Sequence, residues 1–144
     1  MIDPSALQKY SLFGGLLAEQ IDKVLPLMEQ EVYEEGVNIM SEGDRNDKIR
    51  FILDGKVAVL KNGLVLSELG EGDAFGEMEV LDVMPSAATI KALNPTRVMS
   101  ISNRSLREVY RVDIKTFALI IMNLARDLSR RLRRMDEQAA DQNG

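Results

Sequence analysis

The chain has 144 residues, the length of one domain and enough to bury a single core. Its apolar share of 45% and charged share of 28% are those of a soluble globular protein, and a formal charge of −5 argues against a general nucleic-acid binder, which needs a basic face for phosphates. Cysteine is absent, which excludes disulfides, thiolate nucleophiles and Cys-ligated metal; histidine is absent too, which removes the commonest neutral-pH general base and metal ligand, so the chain is read as a non-enzyme.

The first ten residues have no basic start followed by an apolar run, so no secretory signal is visible. The longest apolar run, Phe117 to Met122, is too short to span a bilayer. A soluble cytoplasmic protein without membrane contact is expected.

In chain order the pattern reads helix, short strands, helix. Ser5 to Leu12 suits a short helix, with Phe13 packing on the core. After Gly14-Gly15, the residues Leu16, Leu17, Ile21, Val24 and Leu25 recur at helical spacing, and Pro26 limits this second helix to two or three turns. From Glu31 to Ser102 glycines punctuate short runs with strand character. Ile49, Phe51 and Leu53 alternate, as do Val57 with Val59 and Leu64 with Leu66, in the manner of half-buried strands. Asn62-Gly63 between the last two pairs marks a type I′ hairpin, because both residues tolerate positive φ. Strands at this interval predict a sandwich, barrel or jelly roll. Helix returns at Asn103 to Tyr110, and Asp113 is placed to cap a long helix running to about Asp136. The division expected within one domain, 1–144, is N-terminal helices over 1–30, a β-roll over 31–102, C-terminal helices over 103–136 and a frayed tail over 137–144.

Three stretches carry a family resemblance. The first is Glu42-Gly43-Asp44 with Asp47, Ile49, Phe51-Ile52-Leu53, Gly55, Val57 and Val59; the second is Leu69-Gly70-Glu71-Gly72-Asp73; the third is Phe75-Gly76-Glu77-Met78 followed by Pro85-Ser86-Ala87-Ala88-Thr89. In order and spacing they resemble the cyclic-nucleotide-binding domain of catabolite activator proteins, kinase regulatory subunits and nucleotide-gated channels. The resemblance covers nearly the whole chain, and implies a mainly β fold: a double-stranded β-helix, or jelly-roll-like β-roll, with N-terminal helices and a long C-terminal helix. It also implies that Phe75, Gly76, Glu77, Met78, Ser86 and Ala87 line a ligand site.

The chemistry of the third stretch has its own logic. Backbone N–H groups at a glycine and a helix start suit an anionic phosphate, and a glycine at 76 lets the backbone approach closely. Glu77 matches the family carboxylate that accepts hydrogen bonds from a ribose hydroxyl; it equally serves as a helix-start acid complementing the dipole. The family's arginine after proline, which pairs with the cyclic phosphate, is replaced by Ser86. Losing one buried ionic hydrogen bond costs roughly 1.5–3 kcal/mol, about ten- to a hundred-fold in affinity. Glu79 adds a negative charge near the same position. Bound cAMP or cGMP is therefore doubtful, and no other cofactor or metal is indicated. Lys91 and the cluster Arg130, Arg131, Arg133 and Arg134 are the candidate substitute cations, Arg130 and Arg131 as a lid; a solvated helix face is the simpler reading of the cluster.

Phe117, Ile121, Leu124, Leu128, Leu132 and Met135 form an apolar stripe on the last helix. A helix of about 24 residues spans roughly 36 Å, longer than a small β-roll, so its distal half needs a partner. A homodimer through this helix is expected, with Arg131 interrupting a strict heptad seam. The gene-regulating relatives continue into a helix-turn-helix; the sequence ends at Gly144, and direct DNA binding is not expected of it. Two functions remain: a regulatory sensor whose nucleotide binding is weak, altered or lost and which signals through its last helix, or a dimerisation and protein-interaction module of the same fold that binds no ligand.

Overall fold

The computed structural model describes residues 3–143, the last two by backbone alone. Asp3 opens α1 (Pro4–Leu7) by accepting the Ser5 N–H, and Pro4 stands in the first turn, where no amide donor is needed. The helix expected over Ser5 to Leu12 is split: α1 stops at Leu7, and a 3-10 turn follows at Ser11–Phe13 that sinks Leu12 and Phe13 into the core. In α2 (Ala18–Val24) the Gln20 side chain accepts the N–H of Leu17, which caps the helix and is itself exposed. Pro26 turns the end of this pattern into a second 3-10 turn, Leu25–Leu27.

Eight strands follow: β1 (Glu29–Tyr33), β2 (Asn38–Met40), β3 (Lys48–Asp54), β4 (Lys56–Lys61), β5 (Leu64–Gly70), β6 (Ala74–Phe75), β7 (Thr89–Ala92) and β8 (Thr96–Ser102). They form two antiparallel four-stranded sheets, ordered β1-β8-β3-β6 and β2-β7-β4-β5. The β-roll expectation is met. Asn62 and Gly63 have φ of 52° and 79° and join β4 to β5 with Lys61 opposite Leu64, the type I′ turn that their dipeptide specifies.

The central strands of the first sheet, β3 and β8, are buried on both faces. Ile49, Phe51 and Leu53 meet a core shared with the helices, whereas Ile52 and Val98 face a second core inside the roll, with Val57, Leu69, Phe75 and Ile90. β3 is therefore fully buried at its centre and not half-buried, as alternation alone suggested. The reverse correction applies to β5. Leu64, Val65 and Leu66 are all 60% exposed or more, because β5 is an edge strand with a neighbour on one side only.

The Ser102 hydroxyl caps α4 (Asn103–Val112) through the Ser105 N–H. Asp113 caps α5 (Ile114–Asn143), accepting the N–H groups of Lys115 and Thr116 at 3.1 and 3.2 Å. The helix does not stop near Asp136: residues 137–143, expected as a frayed tail, continue it, since neither Pro nor Gly interrupts the run and Ala139 and Ala140 favour helix. Gly144 lies outside the described residues. The inward face of α5 puts Ile120 and Leu124 into the core, and Asn123 donates to the carbonyls of Leu12 and Gly14 at 2.9 Å each. The stripe divides here. Phe117 and Leu124 turn inward, while Ile114, Ala118, Ile121 (itself partly packed on the core), Ala125, Leu128, Leu132 and Met135 run at alternating spacings of four and three along a second face. Arg131 stands beside this seam, not within it. Distal to the roll the seam is open, with Leu132 and Met135 60% and 63% exposed. Among the described residues no helix is long and apolar enough to cross a membrane.

Candidate functional site

The segment from Phe75 to Thr89 leaves the roll as β6, turns at Gly76 into α3 (Glu77–Asp82), and returns through an extended loop to β7. Gly76 is required by geometry. Its φ is +87°, and a Cβ there would stand 2.5 Å from the Lys48 carbonyl oxygen and 2.8 Å from Asn46 Nδ2. Asn46 holds the turn from outside: its Nδ2 donates to the carbonyls of Lys48 and Gly76 at 2.8 and 3.1 Å, while its Oδ1 accepts from Arg50 at 3.0 Å. Arg50 is buried and its Nε donates to Glu31 Oε1 at 2.9 Å. Burial pushes the Glu31 carboxyl up, yet the Arg50 guanidinium and the Lys48 ammonium hold it below the ordinary carboxylate range. The Glu31–Arg50–Asn46 chain thus fixes the start of the segment from Phe75 to Thr89. Its members are spread over 20 positions of sequence and carry no motif that a linear reading detects.

The return loop is pinned by the first of the three sequence stretches. Gly43 N–H donates to the Ser86 carbonyl and Ser86 N–H to the Asp44 carbonyl, each at 2.8 Å, and Glu42 N–H donates to Thr89 Oγ1 at 3.0 Å. At the α3 C-terminus Val83 adopts φ +58°, and its N–H donates to the Glu79 carbonyl. A β-branched residue is strained in this region.

The six expected site residues are brought into one segment but not into one environment. Phe75 is buried in the roll core, and Met78 is half exposed on α3. Glu77 is 3% exposed; its Oε1 accepts from Arg131 NH1 at 2.9 Å, and the second Arg131 terminal nitrogen donates to the Ala74 carbonyl. Burial pushes the Glu77 carboxyl above its ordinary range, against the opposing Arg131 charge. Ser86 is 4% exposed, and its Oγ finds no hydrogen-bond partner among the described residues. Ala87 N–H donates to Glu79 Oε1 at 3.4 Å.

The arginines separate. Arg130 remains on the exposed face, paired with Asp127 at 3.4 Å, as the solvated-face reading expects. Arg131 departs from that reading and reaches this segment, because about two turns of α5 past the Asn123 anchor bring its long side chain over Ala74 and Glu77. Among the described residues no guanidinium or ammonium hydrogen-bonds the segment Pro85 to Ala87, and Lys91 is exposed on β7. Glu77 is thus already engaged by Arg131, and a cavity beside the return loop is lined by Arg45, Asn46, Asp47, Glu79, Val83 and Pro85.

The architecture is a two-layer β-roll with a glycine-started α3 and a long C-terminal helix. The comparisons place it further. The cyclic nucleotide-binding domain family matches over residues 30–113, and the chain belongs to that family. It is similar to the "Cyclic AMP receptor protein" of Thermus thermophilus, 33% identical over 130 residues, covering 87% of this chain and 58% of the relative. It is also similar to the "cAMP-dependent protein kinase regulatory subunit" of Yarrowia lipolytica, 30% identical, covering 68% of this chain and 26% of the relative. Among solved structures it resembles a cyclic nucleotide-binding domain from Methylobacillus flagellatus, with TM-score 0.88 and 25% identity over 97% of this chain and 82% of that one. The chain thus spans less than two thirds of the length of these curated relatives.

Proposed function

We propose that the chain is a cytoplasmic, non-enzymatic regulatory domain in which nucleotide binding is weak or altered and the state of the cradle is read out by α5. The observation that carries this reading is the Arg131–Glu77 pair, which ties the sugar-side carboxylate of the cradle to the helix that leaves the roll. A ligand hydroxyl seeking Glu77 must compete with Arg131, so occupancy and the seating of α5 are linked through one carboxylate. The exposed seam of α5 supports a homodimer, each copy covering the apolar residues that the other leaves in water.

On this reading the replacement of the family's phosphate-pairing arginine by Ser86 limits affinity. In calorimetric titrations with cAMP and cGMP, the chain is expected to give no saturable heat below millimolar nucleotide. Ser86→Arg is expected to restore binding by ten- to a hundred-fold, the value of one charge-assisted hydrogen bond. Saturable binding of the unaltered chain at micromolar nucleotide would overturn the weak-binding reading. The alternative, a dimerisation and interaction module that takes no ligand, is favoured by the fact that both Glu77 and Ala87 N–H are engaged within the chain; it is upheld if Ser86→Arg folds and still binds neither nucleotide.

A further inference from the structure

We propose that the Glu79 carboxylate is a built-in occupant of the cradle's anion position, holding the Ala87 amide that an anionic ligand would otherwise take, so that an anion enters only by displacing it. The inference rests on the reading of residues 75–89 as a ligand cradle. It goes beyond a mere like-charge penalty: Glu79 is a ligand of the cradle's own backbone.

Burial and geometry carry it. Glu79 is 9% exposed, forms no ion pair among the described residues although Arg45 lines the same cavity, and accepts a hydrogen bond from a backbone N–H. The donor is the amide of Ala87, eight residues on, at 3.4 Å. The loop reaches back this far because Val83 takes the left-handed conformation at the end of α3, its N–H bonded to the Glu79 carbonyl. Main chain and side chain of Glu79 thus both engage the loop that returns over α3. Next to Ala87, the Ser86 Oγ is buried without a partner among the described residues, so this stretch holds hydrogen-bonding capacity that they do not use. A bond of 3.4 Å lies at the long end for N–H donors. Such a contact is exchangeable: it screens the amide against weak competing anions and yields to a stronger one.

The test uses the full chain. In the Ser86→Arg background, adding Glu79→Ala is expected to tighten cAMP binding at least tenfold, and Glu79→Gln, which keeps the side-chain volume, to act in the same direction by a smaller factor. Without ligand, the Ala87 amide proton in a 15N–1H spectrum is expected to move upfield in Glu79→Ala as its acceptor is lost. The inference is overturned if Ser86→Arg binds cAMP and neither Glu79 variant tightens it by more than twofold, or if the Ala87 amide does not move. Failure of every variant to bind cAMP sinks the cradle reading instead, and the Ala87 amide then decides alone whether Glu79 occupies its position.

Discussion

Val83 sits at φ +58°, 83% exposed, with nothing but its own backbone geometry requiring that conformation. For a β-branched residue this costs about 1–2 kcal/mol, a penalty that glycine escapes. Val83→Gly is expected to stabilise the fold by about 0.5–1 kcal/mol, after the loss of glycine's greater freedom in the unfolded chain. A urea denaturation midpoint that falls in the variant would show that the side chain makes contacts worth more than the strain. Gly76 is the opposite case. Its left-handed turn is packed against the Lys48 carbonyl, so the position admits no side chain at all. Both glycine and carboxylates of the cradle were legible in the sequence, because a tight turn and a helix start need particular residue types. The contact from Glu79 to Ala87 was not: it depends on the loop conformation set at Val83, where no turn-forming residue announces it. Arg131 was legible as a cation but not as a partner of Glu77, because a residue 54 positions away reaches it only once α5 is seated.

At the scale of elements, α5 has two apolar faces, and only the fold tells them apart. Ile120 and Leu124 belong to the core; Leu132 and Met135 belong to water or to a second copy. Spacings of three and four fit both faces, which is why the sequence stripe mixed them and placed Arg131 in the seam. Leu132→Glu puts a charge into the outward seam without touching the core. Sedimentation is expected to show a dimer for the unaltered chain and a monomer for the variant, with unchanged helical content. A variant that stays dimeric would place the interface elsewhere, for instance on the open β4–β5 hairpin. That hairpin shows the same division of legibility. Its turn was fixed by Asn62-Gly63, whereas the exposure of Leu64 and Leu66 follows from an edge position that local alternation does not encode.

For the whole molecule, two cores share one sheet, and the site lies where that sheet, α3 and α5 meet. The N-terminal turns anchor α5 through Asn123 and through Asp127, which accepts from the Ser11 hydroxyl at 3.0 Å. Beyond these anchors, Arg131 is the link between the helix and the cradle. On the proposed function, the helix downstream changes its seating when this link is exchanged. Because the chain has no cysteine, two spin labels can be placed without background, at Lys61→Cys on the hairpin and Glu137→Cys on α5, both exposed. In the Ser86→Arg, Glu79→Ala background, diluted with unlabelled chain, the pulsed-EPR distance between them is expected to shift by several Å when cAMP saturates the protein, as a sugar hydroxyl replaces Arg131 on Glu77. Confirmed saturation with an unchanged distance distribution would contradict α5 as the readout of the cradle.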